Sequence, residues 1–160
     1  MSETQQIARQ IIACFQKGNK IMIIGNGGSA AEAQHFAAEL VGWYDDLERL
    51  RAPLPALALT TDTSAITAIS NDKSFEDIFA RQVQAFGKEG DILIGLSTSG
   101  KSKNILYAYK WAKLLDIAVI DFPRSGRDTA QIQENQLKMI HKICKIVVNA
   151  FPVTDIKDLM

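Results

Sequence analysis

The chain has 160 residues, 47% of them hydrophobic, 22% charged and 8% aromatic, which supports one packed domain over residues 1–160 and excludes a disordered chain. Eighteen basic residues balance eighteen acidic ones, so no overall basic field points to nucleic acid. No apolar run approaches the roughly 18–20 residues that cross a bilayer, and the opening MSETQQIARQ lacks the layout of a secretion signal, so a cytoplasmic protein with no membrane partner is expected.

Ser2, with Gln5 three residues on, predicts a capping box. Ile7, Ile11, Ile12 and Phe15 then recur at helical spacing, giving a first helix over 2–17 that stops at Gly18. Cys14 and Cys144 each lie among apolar residues and read as buried thiols, not as a disulfide or a metal pair. KIMII (20–24) reads as a buried strand ended by GNGGSA, and an alanine-rich helix follows over 29–41. WYDDLERLRAPLP reads as a loop, because Pro53 and Pro55 block regular structure. ALALT (56–60) is a second strand. Residues 64–70 and 74–86 read as helical, with a break near Asn71 and Asp72. DILIGLS (91–97) is a third strand, followed by STSGKS and a helix over 102–115 with Ile105, Leu106, Tyr109 and Ala112 on one side. IAVIDF is a fourth strand, and a polar turn leads to a last helix over 131–149. Apolar strands alternating with helices predict an α/β fold, a three-layer sandwich with a central parallel sheet covered on both faces. In such folds ligands gather beyond the C-terminal strand ends, where GNGGSA and STSGKS both fall.

In GNGGSA, Gly25, Gly27 and Gly28 allow close backbone approach to a ligand, and Asn26 and Ser29 add polar side chains. The alternative is a tight strand-to-helix turn. The spacing matches neither the dinucleotide fingerprint nor the P-loop. Ser97, Thr98, Ser99 and Ser102 place four hydroxyls within six residues at the mouth of a helix, which suits a phosphate monoester. Lys101 either adds charge there or points to water.

His35 and Glu39 lie four apart and share a helix face, roughly opposite the stripe Ala30, Ala33, Ala37 and Leu40. They form a surface pair, an imidazole beside a carboxylate base, or two metal ligands. Gln133 and His141 lie on the last helix, where eight residues rise roughly 12 Å, so one ion held by both is near the limit of reach within one helix. Assembly from two subunits would relieve that limit.

GNGGSAAEAQHFAAEL, ALTTDTSAITAISND, GDILIGLSTSGKS and IQENQLKMIH together resemble the sugar isomerase (SIS) domain family, and within it the phosphoheptose isomerases. The resemblance covers about 20–148, leaving 150–160 as a tail without an assigned role. It implies a flavodoxin-like, doubly wound SIS fold and an aldose–ketose isomerase that converts sedoheptulose 7-phosphate to D-glycero-D-manno-heptose 7-phosphate, for bacterial lipopolysaccharide or other surface glycans. It assigns substrate binding to Asn26, Gly27, Gly28, Ser29, Glu39, Asn71, Asp72, Ser97, Thr98, Ser99, Ser102 and Gln133. It assigns acid–base catalysis to Glu39 and His141, zinc to His35, Glu39, Gln133 and His141, and a homotetramer as the assembly. Chemically, a carboxylate suits removal of a proton beside a carbonyl, and an imidazole suits proton shuttling near neutral pH.

The chain also departs from the family pattern. Trp43 stands where an arginine is common, so Arg49, Arg51 or another group must replace that contact or it is lost. The residues after IQE usually include a histidine, and in that region this chain has Gln136. The stretch from Ile120 to Gln131 is short, without the usual glycine-rich turn and further strand. Rival readings are a non-catalytic relative that binds the replication initiator DnaA, a sugar-phosphate sensor of a transcription regulator, and an isomerase of another phosphosugar. Retention of Glu39, His141, His35 and Gln133 favours the enzyme.

Overall fold

A computed structural model describes residues 1–42 and 51–151. Two strands form its centre. β1 (Ile21–Gly25) and β3 (Ile92–Leu96) are buried at every position. Successive strand side chains point to opposite faces, and here both faces are apolar. Ile21 and Ile23 therefore join one core, while Met22 and Ile24 join the other. β2 (Ala56–Ala58) and β4 (Ala118–Asp121) form the edges, in the order β2-β1-β3-β4, with every pairing parallel.

On one face, α1 (Glu3–Gln16), α2 (Gly28–Val41) and α6 (Thr129–Asn149) cover the sheet with Ile11, Phe36, Leu40, Ile140 and Ile143. On the other, α4 (Ile78–Phe86) and α5 (Lys103–Leu114) contribute Phe79, Val83, Ile105 and Ala108. α3 (Thr63–Asp72) packs Ile66 and Ile69 on that second core but buries no residue fully. This is the expected α/β three-layer sandwich.

Local chemistry sets the element ends. Ser2 and Gln5 form the capping box of α1, with bonds of 3.3 and 2.9 Å. Asp62 caps α3 and Asp128 caps α6 through their side chains. The break expected near Asn71 and Asp72 falls later, at Lys73 and Ser74, so both residues belong to the last turn of α3. On α5, Ala108 is buried and Leu106 is 42% exposed, which moves the buried face off Leu106. Cys14 and Cys144 are free and buried. Most of the loop over 43–55 that contains Trp43 and Arg49, and the tail over 152–160, lie outside the described residues. No described helix is long and apolar enough to cross a membrane.

β4 passes directly into α6 through residues 122–128, with no further strand between them. Gln136, 2% exposed, ties this connection to α6 by donating to the Pro123 carbonyl at 3.0 Å. Because Gly25 pairs with Leu96 at the ends of β1 and β3, the loops after the two strands emerge side by side.

Candidate active site

The first loop turns sharply from β1 into α2. A side chain at Gly25 would collide with the Ser29 carbonyl, and Gly27 adopts φ +56°, so both positions require glycine. Gly27 is the N-cap of α2 and supplies no capping side chain; the Ser29 and Ala30 N–H groups bond back to the Asn26 and Gly27 carbonyls, each at 3.0 Å, and the positive end of the helix still faces the loop. Gly28 is needed for another reason: the amide of Gln133, reaching from α6, occupies the space of its missing side chain.

The second loop is folded by its own hydroxyls. Ser97 Oγ accepts from the Gly100 N–H at 3.0 Å, and Ser99 Oγ accepts from the Lys101 N–H at 3.1 Å. A hydroxyl oxygen that accepts from the backbone keeps its own proton to donate. Both loops border a cavity of about 230 Å³ lined by Asn26, Gly28, Ser29, Leu96, Ser97, Thr98, Ser99, Ser102, Thr129 and Gln133. Lys101 is exposed and is not among the lining residues. This concentration of neutral donors at two helix starts suits a phosphate ester.

Further along the same helices lies a second cluster. His35 Nε2 is 2.9 Å from His141 Nε2 and 3.4 Å from Glu39 Oε1. One potential ligand atom from each of His35, Glu39 and His141 falls within 4.8 Å of the others. The rings meet edge to face at 5.1 Å. The face of α2 that carries His35 and Glu39 thus turns toward α6, with side chains 39% and 21% exposed. The three residues converge within one chain, without a second subunit. Two imidazoles and a carboxylate are donors that zinc accepts, so the set fits that ion.

Arg51, one of the candidates for the missing arginine contact, is engaged with the backbone at the end of α2. Its guanidinium donates to the carbonyls of Glu39 at 2.7 Å, Leu40 at 2.7 Å, Gly42 at 2.5 Å and Ala52 at 3.1 Å. The first three close the C-terminal end of α2, where Leu40 also accepts from the Leu54 N–H at 3.1 Å, and a cation complements that end of the helix. Burial works against its charge, and Glu39 partly offsets this.

Not every predicted residue joins the cavity. Asn71 and Asp72 are exposed, bonded to each other at 2.9 Å, and absent from the lining. Thr129, Asn104 and Glu32 are additions. Thr129 lines the cavity at the start of α6, and Asn104 bonds Asn26 from beneath. Glu32 is 9% exposed, and among the described residues neither carboxylate oxygen has a partner at hydrogen-bond geometry, although the Ser29 hydroxyl lies near enough to oppose the shift; burial raises its pKa to about 7. Its only sequence signal was a position one turn past Gly28 and Ser29 on the buried side of the helix.

Comparisons with known proteins agree with this geometry. The SIS domain family profile matches residues 1–122. A phosphoheptose isomerase of Campylobacter jejuni is 49% identical over 154 residues, covering 86% of this chain and 81% of that protein. That aligned span exceeds the part of this chain it engages, so the relative carries internal residues that this chain lacks. The solved phosphoheptose isomerase of Neisseria gonorrhoeae superposes with a TM-score of 0.82 at 41% identity, covering 90% of this chain and 84% of that one. The phosphoheptose isomerase structure from Francisella tularensis gives 0.85 at 36% identity, with coverages of 91% and 85%. With its parallel sheet, its adjoining loops after β1 and β3 and this degree of identity, the chain belongs to the SIS domain family and, within it, to the phosphoheptose isomerases.

Proposed function

We propose that the chain interconverts sedoheptulose 7-phosphate and D-glycero-D-manno-heptose 7-phosphate through an enediol, in the cytoplasm, feeding bacterial lipopolysaccharide or another surface glycan. The observation that carries this reading is a spacing. Gly28 meets Gln133, and further on His35 meets His141, so α2 and α6 run side by side in the same direction. The offset between the two meetings is seven or eight residues of helix, a rise of roughly 10–12 Å. An extended seven-carbon chain, with carbon–carbon bonds of about 1.5 Å, spans on the order of 10 Å from its terminal ester phosphorus to C1. With the phosphate at the hydroxyl loop, C1 and C2 reach the carboxylate and the imidazoles.

In this reading Ser97, Thr98, Ser99 and Ser102 grip the phosphate with Gly27, Gly28 and Ser29. Asn26 and Gln133 donate to the sugar. Binding energy from the ester end holds the reacting carbons in place. Glu39 removes a proton from C1, next to the C2 carbonyl, while His141 delivers one to O2. The enediol then gains a proton at C2 and loses one from O1, leaving the aldose. His35 orients the pair, since its Nε2 faces both. Zinc held by His35, Glu39 and His141 would supply Lewis-acid stabilisation of the charge that develops on oxygen, while the Gln133 amide, expected as a fourth ligand, lies against Gly28 instead.

A homotetramer is part of the same proposal. α3 has no buried residue, and Asn71 and Asp72 project from its end, so a neighbouring copy is what would bring them to substrate. The deciding experiment is incubation with sedoheptulose 7-phosphate and detection of the aldose phosphate. Binding without turnover would leave a phosphosugar receptor, and turnover of a shorter ketose phosphate alone would reassign the substrate.

A further inference from the structure

We propose that Asn104 is a positioning residue for phosphosugar binding: its amide straps the hydroxyl loop to the glycine loop and decides which atom Asn26 presents to the ligand. This rests on the reading that the cavity takes a phosphate ester, and it adds a residue that never touches that ester.

Asn104 lies in the first turn of α5 and is 3% exposed. Its Nδ2 donates to Asn26 Oδ1 at 2.8 Å, and its Oδ1 accepts from Asn26 Nδ2 at 2.9 Å. The two amides form a closed reciprocal pair across 78 residues of sequence. A third bond gives the pair its direction, because the Ile105 N–H also donates to Asn104 Oδ1 at 2.9 Å. A backbone N–H can only donate, so the atom facing it must be the oxygen, and turning the Asn104 amide over would set two donors against each other. With Asn104 fixed, Asn26 must meet it oxygen to nitrogen and nitrogen to oxygen. The second Nδ2 proton of Asn26 is the one its partner does not use. Asn26 is half-buried at the cavity wall, so what it offers there is a donor, as an anionic or hydroxyl-rich ligand requires. The pairing also joins the loops behind the cavity, so neither moves without the other.

The test substitutes Asn104→Asp. Protonated, the new side chain has the shape of asparagine and can still donate to Asn26. Ionised, it cannot donate, and it adds a negative charge behind an anion site. Binding of inorganic phosphate, measured by calorimetry, is therefore expected to weaken relative to wild type on the order of tenfold as the carboxyl ionises. In turnover the same variant raises KM by a similar factor and leaves kcat within about twofold. Asn104→Ala is expected to weaken phosphate binding in the wild-type background but to have no further effect once Asn26→Ala has removed the partner. A ratio of variant to wild-type affinity that stays constant with pH overturns the proposal, as do equal effects of Asn104→Ala in both backgrounds. Should Asn104→Ala fail to fold, the Asn104→Asp series decides alone, starting from the acid form that preserves the native pairing. Wild-type protein that binds phosphate while Asn104→Asp matches it at every pH rejects only this proposal. Wild-type protein that binds neither phosphate nor phosphosugar rejects the phosphosugar reading as well.

Discussion

The two meeting points of α2 and α6 are made of different materials. At their N-terminal ends the cavity is built from glycines, hydroxyls and amides, almost all neutral, and fixed by backbone turns. Seven or eight residues on, three ionisable side chains meet within 4.8 Å. The first station has the chemistry of a grip and the second that of proton transfer. In the proposed mechanism, binding and catalysis would be separable along one helix pair, since donors that hold an ester need no titration and groups that move protons do.

The sharpest way to break that separation is Glu39→Gln. The variant keeps the size of the side chain and removes its basicity. Turnover is expected to fall by about 10²–10⁴-fold, the usual share of a positioned acid or base. Phosphate affinity by calorimetry should stay near wild type, because Glu39 is not among the lining residues of the cavity. Loss of phosphate binding with turnover would show the stations to be one site; unchanged turnover would remove Glu39 from the chemistry.

The two stations also differed in how far the sequence disclosed them. The grip was legible as motifs because each loop is a local construction: Gly25, Gly27 and Gly28 answer to a turn a few residues long, and Ser97 and Ser99 bond within their own loop. The strands were legible for a similar reason, as IMII and ILIG are apolar at every position. The proton-transfer station was less so. His35 and Glu39 advertise a shared helix face, but nothing local brings His141 from 106 residues away. The family resemblance, not spacing, had nominated it. Asn104, Glu32 and the four carbonyl contacts of Arg51 escaped for the same reason, since each depends on which element packs beside it. α3 was broken too early because Asn71 and Asp72 look like a helix stop, although the helix runs through both.

Glu32 is an exception within the neutral grip and sharpens the comparison. Its carboxyl is buried beside Ser29, and desolvation raises its pKa from 4.5 to about 7 despite an opposing contribution from the Ser29 hydroxyl. The unfolded chain releases this proton near 4.5, whereas the folded chain holds it until about 7. The unfolded state therefore binds fewer protons between those values, and stability falls as pH rises through that window, then levels off. The loss is at most about 3 kcal/mol. Denaturant unfolding at about pH 5 and about pH 8 should show this decline, and Glu32→Gln should flatten it. A wild-type curve as flat as that of the variant would mean that Glu32 is ionised in the fold and has found a partner.

The smallest expected effect concerns what keeps the second station in place. Arg51 closes the end of α2 by taking the carbonyls of Glu39, Leu40 and Gly42, so the turn that carries the proposed base is held by a charge-assisted cap. Arg51→Met keeps much of the bulk and removes every donor. Leaving partly buried carbonyls unpaired should cost about 2 kcal/mol of stability, read in denaturant unfolding. If the cap also aims Glu39, kcat should fall several-fold while KM and phosphate affinity hold, because the N-terminal end of α2 is fixed independently by Gly28 and Gln133. Arg51→Lys should recover part of the stability through its charge but less of the rate, since one ammonium cannot reach three carbonyls in the plane of a guanidinium fork. A stability loss with kcat untouched would confine Arg51 to closing the helix and would place the orientation of Glu39 with His35 and His141 alone.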